Sequence, residues 1–338
     1  MSREDILVTG AAGFIGFHVA SRLLESGRSV LGIDNLNDYY DPALKTARLA
    51  SLAQHPEFRF VELDIADRAA TAALFAEHRF SRVVHLAAQP GVRRSLSDPH
   101  AYVDANITGF LDILEGCRHN DCGHLVYASS SSVYGANTGM PFSTEQNVDH
   151  PVSLYGATKK ANELMAHAYA HLFGIPCTGL RFFTVYGPWG RPDMAIWLFT
   201  AAIVAGKPIR LFNEGDMQRD FTYVGDVAEA IVRLIDTPAA ADPAWSSEKP
   251  DPASGAAPWR IYNIGNHTPI DLRTLVRVIE DAVGKKAIVE LMPMQPGDVH
   301  ATYADVEALS AAVGFAPRTP IEVGVGHFVK WYREHYHV

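Results

Sequence analysis

A tyrosine and a lysine spaced four residues apart, Tyr155 and Lys159, follow a run of four serines in this sequence. On a helix, that spacing places both side chains on one face. A tyrosine has a pKa of about 10, so it can act as a base near neutral pH only beside a cation such as Lys159. Alone, such a pair occurs often by chance and usually marks a helix surface. The serine run, residues 129–132, is either a solvated linker or the source of a hydroxyl for the same chemistry.

The segment VTGAAGFIG places Gly10, Gly13 and Gly16 after a strand-like run and at the start of a helical pattern. Glycines there permit a tight turn and bring the N–H groups of a helix N-terminus close to a pyrophosphate. Three glycines alone are a weak signal, because ordinary turns are also glycine-rich. The second strand-like run ends in Asp34, whose carboxylate can accept hydrogen bonds from ribose hydroxyls. NAD is favoured over NADP, because this acid would repel a 2′-phosphate and residues 35–37 contain no arginine.

A second acid, Asp64, follows the third strand-like run and is predicted, with Ile65, to contact the adenine ring. The alternative is that Asp64 caps the N-terminus of a helix just before Ala66 and Asp67. The sequence leaves these two interpretations nearly equal.

These residues lie among short apolar runs that alternate with longer helical patterns. The runs are at residues 6–8, 30–33, 58–63, 83–86 and 125–128, with a helical stretch at 16–26. Each run is apolar throughout, which is typical of strands in a parallel sheet covered on both faces. Strand, helix and strand repeated in this way predict an α/β fold with a doubly wound, Rossmann-type sheet. Such sheets bind ligands at the carboxyl ends of their strands, where the serine run lies.

The pattern changes after residue 183, because residues 187–192 are rich in turn-forming and aromatic residues. We predict a Rossmann domain over residues 1–183, to which residues 226–264 return with a helix at 226–236 and a strand at 260–264. Residues 184–225 and 265–338 are predicted to form a smaller substrate-binding portion. Residues 237–258 are rich in Pro, Ala, Ser and Asp, which predicts a poorly ordered surface loop.

Composition and charge limit the classes of function. Of the 338 residues, 48% are hydrophobic and 20% are charged, as in an ordinary globular protein. A net charge of −9 disfavours binding to nucleic acid or to a membrane surface. No signal-peptide pattern and no apolar run of the ~20 residues that span a bilayer are present, which predicts a cytoplasmic protein. Three cysteines, Cys117, Cys122 and Cys177, are too few for a disulfide framework and are predicted to be buried thiols.

The glycine loop, Asp34, the serine run and the YGATK segment that begins at Tyr155 together resemble the extended short-chain dehydrogenase/reductase family. The resemblance covers nearly the whole chain. It is closest to nucleotide-sugar 4-epimerases, and in particular to UDP-glucuronate 4-epimerases. Four segments carry this closer match: GIDNLNDYYDPALKTARLA, AAQPGVRRS, LRFFTVYGPWGRPDMA and PMQPGDVHATYAD.

The resemblance implies roles for the serines and the tyrosine. Ser130 matches the family's catalytic serine or threonine and would bridge the substrate 4-hydroxyl and Tyr155, while Lys159 would hold the nicotinamide ribose. Related dehydratases carry an Asp-Glu pair at the positions of Ser131 and Ser132, and UDP-xylose synthases carry Glu at the second. Two serines cannot supply that acid/base pair. The residues implied to contact NAD are Gly10, Gly13, Phe14, Ile15, Gly16, Asp34, Asn35, Asp64, Ile65, Leu86, Ala87, Ala88, Asn106, Tyr155, Lys159 and Phe183.

Arginines suit the two phosphates of a UDP-sugar, because their planar guanidinium binds phosphate through two parallel hydrogen bonds. Arg219 matches the family's diphosphate-binding arginine, and Arg191 and Arg93 are further candidates. For any single arginine the alternative is a surface ion pair, as for Arg94.

The remaining implied contacts concern the uridine and the sugar. Asp298 resembles a residue that binds the uridine ribose, but the arginine beside it in the family is Gln295 here. Phe212 would stack on the uracil or, alternatively, lie in the core. UDP-glucose 4-epimerases carry Asn at the position of Thr184, whose shorter side chain leaves room for a sugar carboxylate and a hydroxyl to bind it. The backbone N–H groups of residues 131–132 would complete that carboxylate site.

The implied function is the NAD-dependent interconversion of UDP-glucuronate and UDP-galacturonate through a 4-keto intermediate, without a metal. Two alternatives within enzymes are a UDP-glucose 4-epimerase and a UDP-glucuronate decarboxylase. Outside enzymes, the alternative is a non-catalytic, NAD-sensing binding protein on the same fold. Because the family usually dimerises through two helices per subunit, here residues 104–117 and 155–171, we expect a homodimer.

Overall fold

The computed structural model describes residues 5–294 and 300–338. Its strands are β1 (Asp5–Thr9), β2 (Val30–Asp34), β3 (Phe58–Glu62), β4 (Phe80–His85), β5 (His124–Ser130), β6 (Cys177–Phe182), β7 (Thr184–Tyr186), β8 (Pro208–Phe212), β9 (Gln218–Tyr223), β10 (Trp259–Ile264), β11 (Pro269–Asp271), β12 (Ile288–Met292) and β13 (Ala301–Thr302). Its α-helices are α1 (Phe14–Glu25), α2 (Pro42–Leu52), α3 (Arg68–Glu77), α4 (Arg94–Ser97), α5 (Pro99–Val103), α6 (Gly109–His119), α7 (Leu154–Phe173), α8 (Ala195–Val204), α9 (Val224–Ile235), α10 (Leu272–Val283), α11 (Glu307–Val313) and α12 (Ile321–Tyr336).

Seven strands form the central sheet, in the spatial order β10-β6-β5-β4-β1-β2-β3. Every neighbouring pair in it runs parallel. Within β1, Ile6 and Val8 pack into one apolar cluster, whereas Leu7 between them packs into another on the opposite face. Helices α1 and α9 supply the first cluster, and α3, α6 and α7 supply the second. The strands are therefore apolar on both faces because both faces are covered, and the predicted doubly wound α/β fold is confirmed.

The chain returns to this sheet after leaving it. Helix α9 packs in the cluster beside α1, and β10 pairs with β6 at the edge of the sheet. The segment between them, residues 237–258, is irregular as predicted, but it is not a surface loop throughout. Ala253, Ser254 and Ala257 near its end are buried, and the two alanines belong to the apolar cluster around Trp259. The prediction of a surface loop was wrong at that end. A segment whose small apolar side chains fill a core can have the same composition as a flexible loop.

Several of the later elements pack into a smaller group of their own, whereas α11 packs into the first cluster through Leu309. Strands β7, β9, β11 and β13 make one small sheet, and β8 pairs with β12 in another. Helices α8, α10 and α12 pack together in a third apolar cluster that includes Trp197, Leu275 and Phe328. All three cysteines are buried free thiols, as predicted. Among the helices of the described residues, none combines the length and apolarity needed to cross a membrane.

Candidate active site

A cavity of about 520 Å³ lies at the carboxyl ends of the central strands. It is where a doubly wound sheet binds its ligand, because the loops after the strands diverge there. The structure brings seventeen of the predicted site residues to its wall: Gly10, Gly13, Phe14, Ile15, Gly16, Asp34, Asn35, Asp64, Ile65, Leu86, Ala87, Ala88, Ser130, Tyr155, Lys159, Phe183 and Arg191. The predicted cofactor and catalytic residues thus converge almost completely.

The glycine loop is packed too tightly for side chains. Gly10 has a φ of +70°, and a Cβ there would lie 2.8 Å from the backbone nitrogen of Ala87. A Cβ on Gly16 would lie 2.0 Å from the carbonyl oxygen of Gly10. Helix α1 begins directly after Gly13, so its first N–H groups face the cavity without a capping side chain. This cradle fits the pyrophosphate of a dinucleotide.

Asp34 lies at the end of β2, where the ribose of such a ligand would lie. Its Oδ1 accepts from the backbone nitrogen of Leu36 at 2.9 Å and from Lys45 Nζ at 3.2 Å. Lys45 is buried and also donates to Asn37 Oδ1 at 3.1 Å. Sequence reasoning missed Lys45, although a lysine on the apolar-facing side of α2 was a usable signal, since lysines are rarely buried without a partner.

Asp64 forms part of the cavity wall and does not cap a helix. Its Oδ2 accepts from Asn35 Nδ2 at 2.9 Å and its Oδ1 from the backbone nitrogen of Ala66 at 2.9 Å. The residue that caps α3 is Asp67, whose Oδ1 accepts from the backbone nitrogen of Ala70 at 3.0 Å. The capping alternative for Asp64 was therefore wrong by three positions.

Helix α7 carries Tyr155 and Lys159 on one face, as their spacing predicts. The helix begins after Ser153, whose Oγ accepts from the backbone nitrogen of Gly156 at 3.0 Å. A Cβ on Gly156 would lie 2.6 Å from the carbonyl oxygen of Ser132, so only glycine lets the helix start so close to the end of β5. This close packing places the side chains of Tyr155 and Ser130 near each other on the cavity wall.

Burial dominates the electrostatics of this pair. It raises the pKa of Tyr155 above its usual value, against the opposing effects of the Ser130 hydrogen bond and the charge of Arg191. Burial also lowers the pKa of Lys159 to about 7, and its Nζ donates to the carbonyl oxygen of Ala128 at 2.8 Å. The expected lowering of the tyrosine pKa depends on Lys159 together with the positive nicotinamide ring of NAD. In the protein alone, the desolvation of both groups opposes it.

Asn106 lies behind the cavity wall, although it was predicted to contact the cofactor. It is buried, and its Oδ1 accepts from the backbone nitrogen of Gln89 at 2.8 Å. Its Nδ2 donates to the carbonyl oxygen of Gln89 and to Thr158 Oγ1, both at 3.1 Å. With donors and acceptor engaged in this way, Asn106 ties the wall after β4 to helix α7.

Arg191 reaches the cavity from the loop after β7. Its Nε donates to Asp193 Oδ1 at 3.0 Å and its Nη2 to Asp193 Oδ2 at 2.5 Å. Tyr39 donates to the same Oδ2 at 3.1 Å. Tyr39, Tyr40 and Arg94 also line the cavity and were not predicted as ligands. Arg94 forms the expected surface ion pair, with its Nη2 3.5 Å from Asp98 Oδ2.

The other predicted substrate residues are not brought to this wall. Arg93 lies over the ring of Phe212, 5.2 Å from its centroid, so these two contact each other. Arg219 donates to the carbonyl oxygens of Gln218 at 2.8 Å and His300 at 3.1 Å. Ser131 and Ser132 begin a 3₁₀ turn after β5, and Thr184 is half-buried between the wall residues Phe183 and Val185. Asp298 and Gln295 lie outside the described residues.

A family model described as the NAD dependent epimerase/dehydratase family matches residues 6–265. The chain belongs to this family. A curated relative, the probable UDP-glucuronate 4-epimerase of Rhizobium meliloti (strain 1021), is 49% identical over 333 residues, which cover 98% of this chain and 97% of that protein. These findings place the glycine loop and the Ser130–Tyr155–Lys159 group within an NAD-dependent family of extended short-chain dehydrogenase/reductase type.

Two solved structures resemble the fold over its whole length. UDP-glucuronic acid 4-epimerase from Bacillus cereus, in complex with UDP-glucuronic acid and NAD, has a TM-score of 0.87 and 32% identity, with 98% of this chain and 100% of that chain covered. UDP-glucose 4-epimerase from Thermotoga maritima, with UDP-glucose, has a TM-score of 0.84 and 28% identity, with 98% and 99% covered. The two scores are so similar that fold alone does not distinguish between these sugars.

Proposed function

We propose that this protein is an NAD-dependent UDP-glucuronate 4-epimerase that interconverts UDP-glucuronate and UDP-galacturonate. The observation that carries the proposal is the convergence of Ser130, Tyr155 and Lys159 on the wall of a cavity whose other end is the glycine cradle. The sugar specificity is supported by the 49% identical relative named for that activity.

The protein's own groups supply binding and proton transfer. Gly10, Gly13 and Gly16 would hold the pyrophosphate of NAD, and Asp34 its ribose. When bound, NAD supplies a site that takes a hydride from C4 of the sugar and later returns it. Tyr155 would act as a phenolate, a form that the positive nicotinamide ring of bound NAD would favour together with Lys159. It would take the proton from the 4-hydroxyl by way of Ser130 and give it back in the reverse step.

The decarboxylase alternative and the related dehydratases differ from this chain at the serines after Ser130, whereas a UDP-glucose 4-epimerase differs at Thr184. A 3₁₀ turn that begins with Ser131 and Ser132 offers two hydroxyls where an acid/base pair would be needed for elimination of water. A decarboxylase would be expected to carry Glu in place of Ser132. A sensor of NAD would have no use for the contact between Ser130 and Tyr155, and this counts against the non-enzyme alternative.

Incubation with UDP-glucuronate and with UDP-glucose, separately, tests the proposal. We expect proton NMR to show UDP-galacturonate from the first and little UDP-galactose from the second. Tyr155→Phe is the matched control, because it removes only the hydroxyl, and it should reduce turnover at least about a hundredfold. Conversion of UDP-glucose alone, or full turnover by Tyr155→Phe, would overturn the assignment.

The division of labour along the chain is part of the same proposal. We infer that residues 1–183 and 226–264 bind NAD, and that residues 184–225 and 265–338 bind the UDP-sugar. The apolar cluster formed by α8, α10 and α12 supports a separately packed second portion.

We also infer that two chains form a homodimer through α6, α7 and the turn of π-helix at Asp104–Thr108 that precedes α6. Helix α7 exposes Leu164 and Leu172 by 59% and 67%, which is unusual for large apolar side chains on one helix.

Light scattering should give twice the chain mass of 37.0 kDa. Leu164→Glu should shift that mass toward one chain, whereas Leu198→Glu, an equally exposed leucine on α8, should not. A wild-type mass near that of one chain at micromolar concentration would contradict the dimer.

A further inference from the structure

The loop that precedes Arg191 is fixed by side chains that donate hydrogen bonds to the carbonyl oxygens of Pro188 and Trp189. His18 Nε2, on α1, donates to the carbonyl oxygen of Pro188 at 2.8 Å. Arg48 Nη2, on α2, donates to the carbonyl oxygen of Trp189 at 2.6 Å. Trp189 has a φ of +61°, an uncommon conformation for a residue with a side chain. External hydrogen bonds therefore stabilise a turn that the local sequence disfavours.

Arg48 also reaches the glycine loop. It is fully buried, and its Nη1 donates to the carbonyl oxygen of Ala12 at 2.8 Å and to the hydroxyl of Tyr40 at 2.7 Å. The oxygens that accept its hydrogen bonds are all uncharged, and its Nε is buried without a partner among the described residues. A buried guanidinium held only by neutral oxygens is costly. What it provides is a direct bridge between the Ala12 carbonyl and the Trp189 carbonyl.

A second connection runs parallel to this bridge. Tyr39, next to Tyr40, donates to Asp193, and Asp193 pairs with Arg191. The segment from Tyr39 to Arg48 thus contacts the glycine loop on one side and both ends of the 189–193 loop on the other. This segment belongs to the GIDNLNDYYDPALKTARLA motif, of which the proposed chemistry gives a role only to Asp34.

We propose that Arg48 is a positioning residue that couples the phosphate-binding loop of NAD to the loop that presents Arg191. The inference rests on the proposed function for its sugar ligand. When the glycine loop is ordered by a dinucleotide, the Ala12 carbonyl fixes Arg48, and Arg48 fixes the turn at Trp189. Bound NAD therefore raises the affinity for the sugar nucleotide, and bound sugar nucleotide raises the affinity for NAD. By linkage, both affinities rise by the same coupling factor.

Titration calorimetry on the Tyr155→Phe protein, in which turnover is blocked, measures this factor directly. The affinity for UDP-glucuronate is determined with NAD removed and with NAD saturating. We expect NAD to tighten binding by a factor within the range of about 5 to 150 that is typical of coupled sites. Arg48→Met, which retains a long apolar side chain without donors, should reduce the factor to about 1. Uridine is the control ligand, because it lacks the phosphates and the sugar that Arg191 could contact, and its response to NAD should be the same with and without Arg48.

An unchanged coupling factor in Arg48→Met overturns the inference, and so does an equal loss of affinity for both ligands in both cofactor states. If circular dichroism shows that Arg48→Met does not fold, Tyr40→Phe decides instead. It deletes one acceptor of Arg48 and should lower the factor by severalfold, and an unchanged factor overturns the inference. Binding of UDP-glucuronate without any coupling contradicts this inference alone, whereas no binding of UDP-glucuronate contradicts the proposed function.

Discussion

Ser129 and Ser130 are adjacent and chemically identical, yet their hydroxyls have different partners. Ser129 Oγ donates to the buried carboxylate of Glu163 at 2.6 Å, which makes it part of the protein interior. Ser130 Oγ accepts from the backbone nitrogen of Ser132 at 3.2 Å and contacts Tyr155 in the cavity. The alternation of side chains along β5 explains the difference, because successive residues of a strand point to opposite faces. Ser129 is therefore structural, whereas Ser130 is the serine that the proposed chemistry uses.

Thr184 allows a prediction at the same scale. A 4-ketone places the sugar carboxylate in the β position, from which carbon dioxide is lost readily when the C5–C6 bond is perpendicular to the carbonyl plane. If Thr184 holds the carboxylate away from that geometry, Thr184→Val loses a hydrogen bond to a charged group, worth ~1.5–3 kcal/mol. Epimerisation should then slow by about tenfold or more, and the share of UDP-pentose among the products should rise. Chromatography of the products over time measures both rates.

Wild type should yield at most traces of pentose in that experiment. Unchanged rates of both reactions in Thr184→Val would show that Thr184 does not anchor the carboxylate. A wild-type protein that gives mainly UDP-pentose would contradict the epimerase itself.

Helix α7 is fixed to the sheet at the point where it carries the catalytic pair. Tyr155, Lys159 and Glu163 follow each other at four-residue spacing and share one helix face. Glu163 forms two hydrogen bonds of 2.9 Å with Arg181 of β6, and both side chains are buried. Arg181 donates further to the hydroxyl of Tyr134 at 3.2 Å. This buried network sets the register between the helix and the ends of β5 and β6.

Glu163→Gln should therefore destabilise the protein strongly. It leaves the Arg181 charge buried without its carboxylate, for which ~3–5 kcal/mol is typical. Urea denaturation followed by circular dichroism measures the change in the free energy of unfolding. Glu334→Gln is the matched control, because it breaks an exposed pair with Lys330 on α12 and should change stability by less than about 1 kcal/mol. Equal effects of the two substitutions would contradict a structural role for the buried pair.

The elements and the cofactor end of the site could be predicted because their signals are local. Apolar runs, the glycine loop and Asp34 each lie within one strand–loop–helix unit, so that spacing alone locates them. The Glu163–Arg181 pair and the bridge made by Arg48 join residues distant along the chain, and residue type gives no hint of the partner. Phe212 shows the same limit, because its contact with Arg93 depends on how the end of β8 meets the start of α4.

Across the whole molecule, stability depends on histidines that are buried and uncharged. Thr9 Oγ1 accepts from the backbone nitrogens of Leu86 and Ala87, so its own hydrogen is donated to His85 Nδ1, 2.9 Å away. That nitrogen must be unprotonated, and burial lowers the pKa of His85 to about 3. Burial likewise lowers the pKa of His124, on the neighbouring strand β5, to about 4. Both side chains are buried, His85 at the carboxyl end of β4 and His124 at the amino end of β5.

Acid should therefore destabilise the fold well before most carboxylates are protonated. An unfolded histidine has a pKa of about 6.5, so between that value and about 4 the unfolded chain binds protons that the native protein excludes. The free energy of unfolding then falls as the pH falls, by up to ~1.4 kcal/mol per pH unit for each such histidine.

Urea denaturation of wild type and His85→Asn at pH 7, 6 and 5 isolates one contribution, because the carboxylates are common to both proteins. The variant should be less stable than wild type at pH 7, and this gap should narrow with each step toward pH 5. The free energy of unfolding of His100→Gln, at an exposed position on α5, should change with pH as that of wild type does. A stability difference between wild type and His85→Asn that stays constant with pH would mean that His85 takes up its proton in the native state as well.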